Sequence, residues 1–204
     1  MSGNRRSGYP AVVASVLQQM DVAPVEAVCE VILRAYRSGN QVMVMGNGAS
    51  AALASHMACD LCKWTRGEGG GLQTRSLTDN LSLLTACAND DGYETIFAQQ
   101  ISSFARRGDV VIGISSSGES LNVLNGLEAA RKKGAVTVGM TRVGAERMKS
   151  LCDYCLTVPS DMAQCIEDVH CVLVHAICLR VKDLVEQERS SHGDADCSPR
   201  KAEP

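Results

Sequence analysis

The chain has 204 residues, a formal net charge of −3 and a composition that is 45% hydrophobic, which fits one domain with a sizeable core. Mild acidity without a clustered Lys/Arg face excludes a nucleic-acid surface, and no apolar run approaches the ~18 residues that would span a membrane. The N-terminus has no apolar signal core behind Arg5 and Arg6, so the expectation is a cytoplasmic protein whose ten cysteines stay reduced.

In chain order, residues 9–20 and 23–38 carry apolar stripes at helical spacing, joined at Asp21–Pro24. Two amphipathic helices ahead of the first strand must bury their stripes on the sheet or on another subunit. Gln41–Met45 reads as a strand, Gly46–Ser50 as a tight turn, and residues 50–63 as a helix. Residues 64–72 hold four glycines and read as a loop. A second strand is expected at Gln73–Leu77. Helices follow at Asp79–Asn89 and Tyr93–Arg106, broken by Asn89–Gly92. Then come a strand at 109–114, a helix at 121–133, a strand at Val136–Met140, a short helix at 144–150, a strand at Asp153–Val158 and a long helix at Met162–Glu188. The polar tail from Arg189 to Pro204 reads as disordered, leaving residues 1–188 as one domain. This alternation predicts an α/β fold. It is a three-layer αβα sandwich, flavodoxin-like, around a five-stranded, mostly parallel sheet with sites at the strands' carboxyl ends.

Two turns fall at such ends. Asp109–Ser120 reads D-V-V-I-G-I-S-S-S-G-E-S, a buried strand running into Ser115, Ser116, Ser117 and Ser120 just before a helix. Unpaired N–H groups and the macrodipole of a helix N-terminus favour an anion, and four hydroxyls add donors, so a phosphate is expected there. Gly46-Asn47-Gly48-Ala49-Ser50-Ala51 fits a loose dinucleotide fingerprint, but the acid that should hold a ribose ~20 residues on is missing, which argues against NAD. A polyhydroxylated ligand on that loop fits better.

His56 and Asp60 stand four apart on one helix face. Glu167, His170, Cys171 and His175 lie on the last helix, in a run apolar enough to read as buried. Buried Glu and His need partners, so two His and two carboxylates could share a divalent metal and leave one group to move protons. Equally, His56 and His175 could be satisfied core histidines, and His170 reads as structural. Two C-x-x-C pairs, Cys59/Cys62 and Cys152/Cys155, are too far apart for a zinc ribbon and read as small buried hydrophobes.

The segments G-N-G-A-S, A-N-D at Ala88–Asp90, G-I-S-S-S-G-E-S and V-P-S…E-D-V-H…H at Val158–His175 resemble the sugar isomerase (SIS) domain. Within it they are similar to the sedoheptulose 7-phosphate isomerase subfamily, over roughly residues 9–188. That resemblance implies aldose–ketose isomerisation through an enediol, giving D-glycero-D-manno-heptose 7-phosphate for surface-polysaccharide precursors. It implies a phosphate cradle at Ser115, Ser116, Ser117 and Ser120, and sugar contacts at Asn47, Gly48, Ala49, Ser50, Asn89 and Asp90. Zinc ligands would be His56, Asp60, Glu167 and His175, in a homotetramer with sites between subunits and helices 9–38 in the contacts.

Two positions depart from the family pattern. Asp60 stands where the family has a glutamate base, and Glu167 where it has a glutamine ligand. A ligand set with two carboxylates formally neutralises a divalent ion, which would weaken its Lewis acidity and admit Mn²⁺ or Fe²⁺. Asp60 or Glu167 would then shuttle the proton between C1 and C2, with His175 serving the oxygens. The rival reading is a non-catalytic SIS module, of the type that binds the bacterial replication initiator and regulates.

Overall fold

The computed structural model describes residues 8–67 and 70–191. Five strands, β1 (Gln41–Gly46), β2 (Gln73–Ser76), β3 (Val110–Ile114), β4 (Val136–Arg142) and β5 (Tyr154–Val158), form one sheet in the order β2-β1-β3-β4-β5. Every pairing is parallel, where the sequence suggested a mostly parallel sheet. Parallel strands buried on both faces are apolar throughout, and β3 meets that description residue by residue, as does β1 after Gln41.

Strand alternation sorts the core into two layers. Val42, Val44, Val110, Ile112, Ile114, Val138, Met140, Leu156 and Val158 face α2 (Ala23–Arg37), α3 (Ala49–Trp64) and α8 (Ala163–Ser191). Met43, Met45 and Val111 face the other way, onto α5 (Ile96–Phe104) and α6 (Leu121–Lys133). On this second face Gly113 and Gly139 are register partners. A Cβ on Gly113 would stand 3.0 Å from Val123 Cγ1, so the missing side chain lets α6 sit close to the sheet.

Helix ends follow local chemistry, with two departures from expectation. α4 (Leu81–Asp91) starts on Asn80, whose side chain accepts from Leu83 N at 3.0 Å. It runs straight through Asn89, Asp90 and Asp91, and only Gly92, at φ +95°, breaks it before a 3₁₀ turn at Tyr93–Thr95. α8 continues to Ser191, because Arg189 bonds Tyr36 Oη and the carbonyls of Thr65 and Arg66. Residues 189–191 are therefore ordered helix, and the expected disorder of 192–204 lies outside the described residues. The short helix α7 (Glu146–Lys149) precedes β5.

Of the leading helices, α2 is committed to the core through Val28, Val31 and Ile32, whereas α1 (Tyr9–Gln19) buries only Val16. α1 is nonetheless tethered, since Tyr9 Oη donates to Asp168 Oδ2 at 2.6 Å. Among the described residues no single helix is long and apolar enough to cross a membrane.

Candidate functional site

The sheet order reverses between β1 and β3, and ligands in open α/β sheets bind at the carboxyl ends of strands at such a switch. Register brings two loops together there, since Gly46 pairs with Ile114 and the turns beginning at Asn47 and Ser115 leave neighbouring strand ends.

In the serine turn, Ser115 is buried, and its Oγ lies 3.2 Å from Ser120 Oγ and 3.4 Å from Ser117 Oγ. Ser115 Oγ accepts from Gly118 N at 3.1 Å, and Ser117 Oγ accepts from Glu119 N at 3.2 Å. Three hydroxyls thus gather at the N-terminus of the thirteen-residue α6, where backbone donors and the macrodipole also favour negative charge. Gly118 is needed for the turn: its φ is +71°, and a Cβ would meet Ala145 Cβ at 2.4 Å.

The glycine turn is braced against the same helix. Asn47 Nδ2 donates to Asn122 Oδ1 at 2.9 Å, and Asn122 Nδ2 returns a bond to Asn47 Oδ1 at 2.8 Å. Tyr93 Oη donates to the same Asn47 oxygen at 2.9 Å. Asn47 was expected to contact a sugar, yet both lone pairs of its amide oxygen are already taken by protein. Asn122, 2% exposed, and Tyr93 are residues the sequence reading missed.

From Ser50, which is buried, α3 runs outward to His56 and Asp60. The ligand atoms of His56, Asp60 and His175 all lie within 4.8 Å of one another. The two imidazoles meet edge-on, with centroids 5.0 Å apart and planes at 76°. His56 Nε2 is 3.2 Å from Asp60 Oδ2, but off the direction of a hydrogen bond, so that buried carboxylate oxygen has no donor. Two imidazole nitrogens and an unpartnered carboxylate oxygen fit a borderline divalent cation such as zinc.

Glu167 is not in that group. Eight residues separate it from His175 on α8, ~12 Å of helix rise. It is half-buried and lines a cleft of about 300 Å³ between α3 and α8, with Ala49, Ser50, His56, Asp168 and His170. Asn89 and Asp90 are exposed in the last turn of α4, where Asn89 Nδ2 donates to Asp90 Oδ1 at 2.7 Å, and they do not line this cleft.

His170 is fully buried. Its Nε2 lies 3.5 Å from the Thr141 carbonyl and its Nδ1 has no partner. Burial pushes its pKa down to about 4, so it is neutral near pH 7.

The SIS domain model matches residues 8–142. A phosphoheptose isomerase of Aneurinibacillus thermoaerophilus is 38% identical over 79% of this chain and 81% of its own length. One from Rhodospirillum rubrum is 42% identical over 80% of this chain and 87% of its own. The chain belongs to the SIS domain family, among the phosphoheptose isomerases. The structure of phosphoheptose isomerase GmhA from Neisseria gonorrhoeae agrees, with a TM-score of 0.81 at 28% identity, covering 90% of this chain and 97% of that one. The SIS domain thus accounts for both turns at the switch point. The family-model match covers α3, with His56 and Asp60, and ends before α8, which carries Glu167 and His175.

Proposed function

We propose that this chain isomerises sedoheptulose 7-phosphate to D-glycero-D-manno-heptose 7-phosphate, through an enediol, in supply of heptose for surface polysaccharide. The observation that carries the reading is the convergence of His175, from α8, on His56 and Asp60 of α3, the helix that starts at the glycine turn. Six residues separate Ser50 from His56, ~9 Å of helix rise, which is the scale of an extended sugar chain. Ser115, Ser116, Ser117 and Ser120 hold the phosphate. Ser50 and the backbone of Asn47, Gly48 and Ala49 follow the hydroxyls, as do Asn89 and Asp90 at the end of α4. The reactive C1–C2 end then lies toward α8.

His56, Asp60 and His175 would hold the divalent ion, zinc first, with Mn²⁺ or Fe²⁺ as alternatives. Such an ion supplies polarisation of the substrate's C1 and C2 oxygens when bound. Moving one proton between adjacent carbons needs one base on one face of the enediol. Glu167 is the carboxylate left for this task, because it lines the cleft while Asp60 stands among the metal-ligand atoms and Asp168 is held by Tyr9. Glu167 takes the proton from one carbon and returns it to the other. His175 keeps its second ring nitrogen for the hydroxyl oxygens.

A homotetramer in the cytoplasm belongs to this reading. Val172 and Leu179, one above the other on α8, are 44% and 51% exposed, and Val12 on α1 is 43% exposed. An apolar face of that kind suits burial against a second copy.

The test is turnover of sedoheptulose 7-phosphate with and without chelator. Product should form, disappear on chelation and return with added divalent metal. No turnover under either condition would favour the regulatory module instead.

The Asn47–Asn122 brace gives a separate expectation. Asn122→Ala leaves the glycine turn unbraced and an amide short of partners, at about 1–3 kcal/mol. Steady-state kinetics should show kcat/KM for the sugar phosphate falling about tenfold or more, while inorganic phosphate inhibits as well as before.

A further inference from the structure

The mechanism uses none of the cysteines, and the two C-x-x-C pairs differ in structure. Cys59 and Cys62 are exposed on α3, outside the stripe of Ala54, Met57 and Leu61 that enters the core. Cys152 and Cys155 flank the start of β5, half-buried, which corrects the expectation that all four are buried.

The second pair converges on one point of the sheet. Cys155 is the register partner of Gly139. A Cβ built on that glycine would meet Cys152 Sγ at 2.6 Å and Cys155 Sγ at 3.3 Å, so both sulfurs occupy the space its missing side chain leaves. Cys152 Sγ donates to the Met148 carbonyl at 3.2 Å. The environment separates their roles. The neighbouring Cys152 sulfur, with Lys149 nearby, holds the Cys155 thiol below its ordinary range, while Cys155 and burial push Cys152 up.

We propose that Cys152 and Cys155 form a redox-active dithiol that hydrogen peroxide closes to a disulfide, whereas Cys59 and Cys62, with the same spacing, do not close. The Cys155 thiolate attacks one peroxide oxygen, the O–O bond breaks, and the departing hydroxide is protonated to water. Cys155 is left as a sulfenic acid. The Cys152 sulfur then attacks the Cys155 sulfur, the S–O bond breaks, and a second water leaves with the Cys152 proton. Two thiols are oxidised to one disulfide, and one peroxide is reduced to two waters. On a helix, side chains three apart hold their Cβ atoms ~5–6 Å from each other. A disulfide needs about 3.5–4.5 Å, so Cys59 and Cys62 could close only if α3 unwound.

The experiment is a graded hydrogen peroxide titration of the full chain, followed by alkylation and peptide mass mapping. The peptide containing Cys152 and Cys155 should lose two hydrogens and both alkylation sites before any other cysteine pair reacts, and a dithiol reductant should restore it. Cys152→Ser should leave Cys155 as a sulfenic acid that a dimedone probe captures. The proposal fails if Cys59–Cys62 closes first, or if Cys152 and Cys155 remain alkylatable once the exposed cysteines are oxidised. Because both thiols stand outside the cleft, neither outcome depends on whether the chain isomerises a sugar phosphate.

Discussion

Glu167→Gln should lower isomerase turnover by about 10²–10⁴-fold, the usual cost of removing a general base, while the protein keeps its metal. The substitution is nearly isosteric and removes only the ability to accept a proton. Asp60→Asn should behave differently. Asp60 has a buried oxygen without a donor beside two imidazoles, so losing its charge should lower metal content and turnover together. Metal analysis by mass spectrometry alongside initial rates separates the two variants. Full turnover in both would mean that neither carboxylate moves the proton. Loss of metal from Glu167→Gln, with Asp60→Asn still loaded, would exchange the two roles.

Acid should weaken the fold through His170. The folded protein holds this imidazole neutral, with a pKa of about 4, whereas the unfolded chain takes up the proton near 6.5. The stability this contributes is complete above pH ~6.5 and is lost as pH falls toward 4, because the unfolded state binds the proton first. Between pH ~7 and ~4.5 the loss attributable to this residue is about 2–3 kcal/mol. Urea midpoints at both pH values should fall further apart in the natural protein than in His170→Leu. Leu substitution costs some stability of its own, but only the difference between the two pH values is read. An equal drop in both proteins would place the acid sensitivity elsewhere.

Much of the scaffold was legible because periodicity and turn chemistry agree. The expected helix at 121–133 has those bounds in the structure, and each strand lies within about two residues of its expectation. The pair His56/Asp60 could be read as sharing a face because four residues make one helical turn. His175 joins them only through the packing of α8 on α3, which no local spacing encodes. The same packing puts Glu167 two turns away, a separation implicit in helix rise but hidden while all four residues were treated as one set.

Other misses have equally physical sources. Asn122 follows the serine turn directly and reads as an ordinary polar first-turn residue until Asn47 is brought against it by the β1–β3 register. Asn89–Gly92 looked like a break because each of its residues favours turns. Three of the four are tolerated in a helix's last turn, and only Gly92 ends it. Cys59 and Cys62 were taken for core residues by type. Their position relative to Met57 and Leu61 places them on the outer side of α3.

The tether from Tyr9 to Asp168 has a practical consequence. Asp168 is the neighbour of Glu167 on α8, so the first residue of α1 is tied one position from the proposed base. A change that disturbs α1 is therefore felt at the cleft. A tag or truncation there can alter kinetics without touching any substrate contact. Rates measured on N-terminally and C-terminally tagged protein should be compared before any loss of activity is assigned to a side chain in the cleft.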